Sequence, residues 1–269
     1  MVKSASDKRA LVTGAGARLG RAMALELARQ GYDVAVHYAS SADGAEETAA
    51  MIRDLGQNAV TLQADLLDMS AAEALVPQAA DALGGALTVL VNNASVFEYD
   101  NIHTATQDGW DRHINSNLRA PFFMIQAFAD QAPDAVIDEN EEPKAQALVV
   151  NMVDQRVKKL TPEFMTYTLA KAGLWTLTQT AAQGLAPHVR VNAIAPGPTL
   201  IGHRQSEAHF AGQRAGTVLG RGAGAEDIVA AFSYLLNAPS VTGQIIAVDG
   251  GQHLGWKTPD VRGVEGQTP

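Results

Sequence analysis

Cysteine is absent from the 269 residues. Its absence excludes disulfides, thiol nucleophiles and zinc sites built on thiolates. Positive charge is scarce: 20 Lys and Arg stand against 29 Asp and Glu, a net charge of −9. A surface that tracks nucleic-acid phosphate needs clustered cations, so no nucleic-acid partner is expected. The seven histidines are scattered and no His-Glu-x-x-His occurs. No metal site is therefore expected. No apolar run approaches the roughly 20 residues of a membrane span. The opening Met1-Val-Lys-Ser-Ala-Ser-Asp7 has no signal-peptide core. The expectation is a cytoplasmic protein with no membrane partner.

What is present is a large apolar fraction, 46%, enough for one α/β domain over residues 1–269. Apolar runs at Arg9–Thr13, Asp33–Tyr38, Ala59–Gln63, Leu87–Val91, Ala147–Val153, Val189–Ile194 and Gln244–Val248 read as strands. Helical periods lie between them at Arg21–Gln30, Ala42–Leu55, Ser70–Leu83, Thr106–Asp130, Tyr167–Leu185 and Ala225–Asn237. Pro121 is expected to bend the long fourth stretch. Alternation of this kind implies a parallel sheet with helices on both faces. Residues 200–224 show little period, and the acidic tract Asp138–Glu142 reads as an exposed loop.

The first strand breaks at Gly14-Ala-Gly16-Ala-Arg18-Leu-Gly20 and enters a helix. Glycines at such a turn let backbone N–H groups approach a pyrophosphate at a helix N-terminus. A tight turn alone would use the same residues. A carboxylate at the end of the second strand would hold the adenosine ribose of NAD. None lies between Val34 and Ala42; Tyr38 stands there, with Ser40 and Ser41 beyond it. With Arg18 these serines could cradle a 2′-phosphate, which favours NADPH. Arg18 could instead pair with a surface acid.

Tyr167 and Lys171 are four apart on a predicted helix and so share a face. A lysine beside a phenol is expected to lower its pKa from about 10 toward neutral, making a proton donor and acceptor. A solvated helix face also carries such pairs. Asp154 lies in the loop between the buried strand and this helix.

Taken together, Thr13-Gly14…Gly20, Asp65, Asn92-Asn93-Ala94, Asn117, Tyr167-x-x-x-Lys171, Pro196-Gly197 and Asp249-Gly250-Gly251 resemble the short-chain dehydrogenase/reductase family. The motifs come in family order over nearly the whole chain. The resemblance implies a doubly wound, Rossmann-type sheet and hydride transfer with a nicotinamide cofactor. It implies Tyr167 as proton donor, Lys171 as orienter of the nicotinamide ribose and tuner of Tyr167, and Asn117 as support for a relay water. Cofactor contacts would come from Gly14, Arg18, Leu19, Gly20, His37, Tyr38, Ser40 and Ser41. Others would come from Asp65 and Leu66 at the adenine, Asn92 at the adenosine ribose, and Asn93, Ala94 and Ser95. Pro196, Gly197 and Thr199 would meet the nicotinamide side, with Tyr167 and Lys171.

Two positions depart from the usual pattern. Arg18 stands where the family has glycine, and Asp154 where it has a carbonyl-polarising serine. An ionised aspartate cannot donate to a carbonyl oxygen. Both departures are similar to the pteridine reductases and the related dihydromonapterin and dihydrofolate reductases. That likeness implies an NADPH-dependent reduction of a pterin-type C=N bond. Ser95, Phe97, Asp154 and Tyr167 would meet the substrate, with Phe97 stacked on its flat ring. Phe97 could also be a core aromatic, and Ser95 a turn hydroxyl. Residues 200–217 would form a lid carrying His203, Arg204 and Phe210. The family's usual assembly implies a homotetramer. A generic carbonyl/alcohol oxidoreductase and a non-catalytic cofactor sensor are the rival readings.

Overall fold

A computed structural model describes residues 8–202, 205–256 and 258. The elements in chain order are β1 (Arg9–Val12), α1 (Arg18–Arg29), β2 (Asp33–Tyr38), α2 (Ala42–Asp54), β3 (Ala59–Gln63), α3 (Met69–Leu83) and β4 (Val89–Asn92). Then come α4 (Gln107–Ile114), α5 (Ala120–Gln131), a small hairpin of β5 (Val136–Ile137) and β6 (Pro143–Lys144), β7 (Ala147–Met152) and α6 (Met165–Gly184). β8 (Val189–Pro196), α7 (Glu207–Ala215), α8 (Ala225–Asn237) and β9 (Ile245–Val248) complete them.

Seven strands form one sheet in the order β3-β2-β1-β4-β7-β8-β9, and every pairing in it is parallel. Side chains alternate across a strand, so each strand feeds two cores. On one face Ala10, Val12, Val34, Val36 and Val91 pack with α1, α2 and α8. On the other Leu11, Ala35, Leu90 and Val149 pack with α3 and α5. Phe232 and Phe128 are the largest fully buried side chains of the two faces, each stabilising by roughly 1.5–3 kcal/mol. This is the doubly wound sheet expected. Its order reverses between β1 and β4, which opens a crevice beyond their carboxyl ends, where such sheets take ligands. Among the described residues, no helix is long and apolar enough to cross a membrane.

Two local expectations are corrected and a third is met. The stretch from Thr106 to Asp130 is not one helix bent at Pro121. It is α4, a π-helical turn over Asn115–Arg119, and α5. Pro121 lacks the N–H that the carbonyl of Asn117, four residues back, would accept in an α-helix. The backbone widens before the proline, and Ala120 donates to the Asn115 carbonyl five residues back. The aperiodic segment after Leu200 contains α7, capped by the Ser206 hydroxyl accepting from the His209 N–H at 3.2 Å. None of its residues is buried, so it carries no apolar stripe. The acidic tract is the exposed tip of the β5–β6 hairpin, where Asp138 Oδ1 accepts the Asn140 and Glu142 N–H groups at 2.8 and 3.1 Å.

Candidate active site

The turn after β1 depends on two glycines. Gly14 has φ +62°, and a Cβ on Gly20 would lie 2.2 Å from the Gly14 carbonyl oxygen. The loop is then tied down by side chains. The Gly14 N–H donates to His37 Nδ1 at 3.0 Å, and His37 Nε2 lies 3.0 Å from the Ala64 carbonyl. Nε2 therefore carries the proton, and burial pulls the imidazole pKa down. Asn93 Nδ2 donates to the carbonyls of Thr13 and Gly14 at 2.8 and 3.2 Å. The Thr13 hydroxyl oxygen accepts the Asn93 and Ala94 N–H groups, each at 2.9 Å.

Beside this loop is a cleft of about 740 Å³. One wall is Gly14, Arg18, Leu19 and Gly20; the floor is His37, Asp65 and Leu66 with Ser40; the far wall is Asn93, Ala94 and Ser95. Tyr38 and Ser41 are not in the lining: Tyr38 packs against the apolar core, and Ser41 precedes α2. Asn92 lies beneath the wall, buried, with Nδ2 donating to Asn151 Oδ1 at 2.8 Å. Gln63, Arg112 and Ser116 also line the cleft. Sequence reasoning missed them, because single polar residues on helical turns and at a strand end have no motif around them.

Arg18 takes a left-handed conformation, φ +54°. Its guanidinium donates to the Leu200 and Ile201 carbonyls at 3.1 and 2.8 Å. It thus joins the glycine loop to the segment following β8. There Pro196 ends the strand. The Gly197 N–H donates to Val248 at 3.1 Å, and the buried Thr199 hydroxyl donates to the Gly197 carbonyl at 3.1 Å. His203 and Arg204 lie outside the described residues. Phe210 lies on α7, with the Arg214 guanidinium over its ring.

At the carboxyl end of β7, Asp154 caps a short 3₁₀ turn. Its Oδ1 accepts the Arg156 N–H at 2.8 Å, and its Oδ2 accepts the Tyr167 hydroxyl at 3.0 Å. Burial pushes the Asp154 carboxyl up, against the Arg156 N–H and charge. Tyr167 departs from expectation. Its pKa is raised well above 10, first by burial and then by the Asp154 charge and hydrogen bond. Lys171 does not reverse this. Its Nζ donates to the Met152 carbonyl at 2.8 Å and sits 5.7 Å from the Tyr167 ring centroid. Burial brings Lys171 itself down to about 8. The phenol is neutral and points its proton at a carboxylate.

Asn117, in the π turn, is fully buried. Its Oδ1 accepts the Val96 N–H at 2.9 Å and its Nδ2 donates to the Val96 carbonyl at 2.8 Å. It fixes the strand-end loop between Ser95 and Phe97. Phe97 is 50% exposed and is not a core aromatic. Its ring meets Tyr167 edge-on at 4.7 Å and stacks on Phe164 at 4.6 Å, 9° from parallel. Phe164 carried no sequence signal. A buried chain of hydrogen bonds supports this loop from below. Thr166 donates its hydroxyl to Asp100, His113 Nδ1 meets the Thr166 hydroxyl oxygen at 2.7 Å, and the Glu98 N–H donates to His113 Nε2 at 3.1 Å. The His113 ring lies edge-on to Tyr167 at 5.9 Å. Asp154, Tyr167, Lys171, Ser95 and Phe97 therefore converge on one site.

The family pattern of the short chain dehydrogenases matches residues 8–210. The crystal structure of FolM, alternative dihydrofolate reductase 1 from Brucella canis, complexed with NADP, is similar at 42% identity and a TM-score of 0.87. The match covers 96% of this chain and 98% of that one. Among curated relatives, L-rhamnose 1-dehydrogenase (NAD(P)(+)) of a Sphingomonas species is 31% identical over 94% of this chain and 99% of its own length. The 3-oxoacyl-[acyl-carrier-protein] reductase FabG of Staphylococcus aureus is 31% identical over 92% and 98%. With the doubly wound sheet, the glycine turn and the Tyr167–Lys171 pair in place, this chain belongs to the short-chain dehydrogenase family.

Proposed function

We propose that this protein is an NADPH-dependent reductase of a pterin-type C=N bond, in a dihydrofolate-like or dihydropterin-like ring. The observation that carries the reading is the half-buried Asp154, hydrogen-bonded to Tyr167 at 3.0 Å where the family has a serine. A half-exposed aromatic, Phe97, stands beside it. A carboxylate suits the N–H-rich edge of an aminopyrimidine, and an aromatic face suits a planar ring. The likeness to a dihydrofolate reductase solved with NADP supports it.

The cleft fits a dinucleotide. The bare backbone at Gly14 and Gly20 admits phosphate at the start of α1. The end of β2 lacks the carboxylate that would repel a 2′-phosphate, and Ser40 lines the cleft just beyond it. NADPH would supply hydride from its nicotinamide to the electrophilic ring carbon. Around that transfer, Asp154 and Phe97 hold the ring, and the loop pinned by Asn117 keeps Phe97 in place. Tyr167 gives its hydroxyl proton to the adjacent ring nitrogen. Asp154, whose carboxyl is pushed up by burial, would then take up a proton from solvent and pass it to the resulting phenolate. Lys171 stays anchored on Met152 and faces the tyrosine. Leu200 to Thr217, with α7, serves as lid. The exposed Trp110, Phe122 and Leu169 on α4, α5 and α6 offer faces for a homotetramer, which light-scattering mass would test.

The test is NADPH oxidation with dihydrofolate, dihydrobiopterin and dihydromonapterin against a panel of small ketones and sugars. The relatives named for L-rhamnose and for 3-oxoacyl substrates keep carbonyl chemistry as the second reading. Turnover of a ketone or sugar with no pterin turnover would replace the first reading by the second.

A further inference from the structure

The loop that carries Asp154 continues Gln155-Arg156-Val157-Lys158-Lys159. Three cations in four residues stand out in a chain of net charge −9. Arg156 is half-buried. Its backbone N–H binds Asp154, and its guanidinium lies 4.5 Å from the centre of the Phe164 ring. One guanidinium N–H donates to the Thr161 hydroxyl at 3.1 Å. A guanidinium has five donors in a fork that matches a carboxylate or phosphate. No carboxylate lies within ion-pair distance of Arg156 among the described residues. Its charge nevertheless acts on Asp154 and Tyr167, opposing the upward shift that burial gives both. The group is therefore at the reacting centre and still has donors to give. Phe164 links it to Phe97: Arg156, Phe164 and Phe97 form a continuous stack, with Tyr99 edge-on to Phe164 at 5.2 Å. A flat substrate ring held beside Phe97 would direct its substituent along this aromatic wall toward the guanidinium.

Resting on the function proposed above, we infer that Arg156 is a specificity-determining residue. It selects substrates whose flat ring carries an anionic tail, a carboxylate or a phosphate, over those with a neutral one. Lys158 and Lys159 next to it are exposed, and Lys159 donates to the Gln252 carbonyl at 3.3 Å. A charge-assisted bidentate contact of this kind is worth about tenfold or more in KM.

The test compares matched substrates. The first pair is dihydrofolate and dihydrobiopterin; the second is dihydroneopterin monophosphate and dihydroneopterin. For each pair the ratio of kcat/KM, anionic over neutral, is measured in the wild type, Arg156→Gln and Arg156→Lys. Any change in the tuning of Asp154 affects both members of a pair and cancels in the ratio. The expected result is a fall of about tenfold in Arg156→Gln, carried by KM, with part of it restored in Arg156→Lys. A fall in the first pair alone assigns a carboxylate tail, and in the second alone a phosphate. Ratios unchanged in both pairs, with pterins still reduced, would overturn this inference and leave the function standing. If no pterin is reduced at all, the function falls and this inference with it.

Discussion

At the nucleotide end of the cleft, polar groups are used up on one another. Gly14, His37, Thr13 and Asn93 satisfy each other's donors and acceptors, and what faces the cleft is a shape. At the substrate end, Tyr167 and Lys171 are buried and Asp154 half-buried, all three with perturbed pKa values, and what faces the ligand is chemistry. The first region recognises through backbone that side chains hold still. The second stores free energy in groups held away from their preferred ionisation. Different substitutions should therefore damage the two ends.

The sharpest break at the substrate end is Tyr167→Phe. It removes the proposed proton source and leaves the ring contacts with Phe97 and His113. General acid catalysis contributes about 10²–10⁴-fold, so kcat should fall by that much while NADPH binding, read by fluorescence titration, stays close to wild type. A variant that turns over normally would remove Tyr167 from the mechanism. The counterpart at the nucleotide end is Gly20→Ala. Its Cβ would meet the Gly14 carbonyl oxygen and, at 2.6 Å, Asn93 Nδ2. Neither is a flexible chain end. The same titration should show NADPH affinity reduced at least about tenfold, a cost of 1.4 kcal/mol or more. Unaltered affinity would mean that the turn does not shape the cofactor site.

Lys171 probes the stored energy directly. Its folded pKa, about 8, lies below its ordinary 10.5. Between those values the unfolded chain binds a proton that the folded chain does not, so stability rises with pH across that window. Below it, both states carry the charge and the folded state bears the cost of burying it. Lys171→Met removes this contribution. In cofactor-free protein the variant should gain in Tm relative to wild type near neutral pH, and the gap should close toward pH 10.5. The change across the window is of order a few kcal/mol. Parallel Tm–pH curves for the two proteins would contradict the depressed lysine.

The contrast also explains what the sequence made legible. β3 and α8 stand where their patterns put them, Ala59–Gln63 and Ala225–Asn237, because burial imposes the period that is read. The turn at Gly14 is legible for the same reason, since close backbone approach leaves glycine as its signature. The π turn at Asn115 is not, because it depends on a missing N–H at Pro121 acting several residues upstream. Nor is α7, whose residues bury nothing. At the substrate end the spacing correctly puts Lys171 on the face of Tyr167, but the direction of the tyrosine's shift comes from its burial and from Asp154. Those are facts of three-dimensional packing. His37, expected as a cofactor contact from the family resemblance, lines the cleft with its two nitrogens held by Gly14 and Ala64, a role that only packing reveals.

Arg18 crosses the contrast, and its substitution should give the smallest effect. It stands in the glycine turn but donates to Leu200 and Ile201 at the root of the substrate-side segment. A left-handed conformation costs a residue with a Cβ about 1–2 kcal/mol, and two hydrogen bonds from an exposed guanidinium return an amount of similar size. Arg18→Gly should consequently leave the unfolding free energy within about 1 kcal/mol of wild type. Its kinetic effect distinguishes two roles. If the guanidinium joins the glycine turn to the substrate-side segment, as its hydrogen bonds indicate, KM should rise a few-fold for NADPH and NADH alike. If it leaves those carbonyls to hold the 2′-phosphate, as the sequence suggests, NADPH alone should weaken and the preference over NADH should shrink. The ratio of the two KM changes decides between them, and with it whether the two ends of the cleft act independently or through this one side chain.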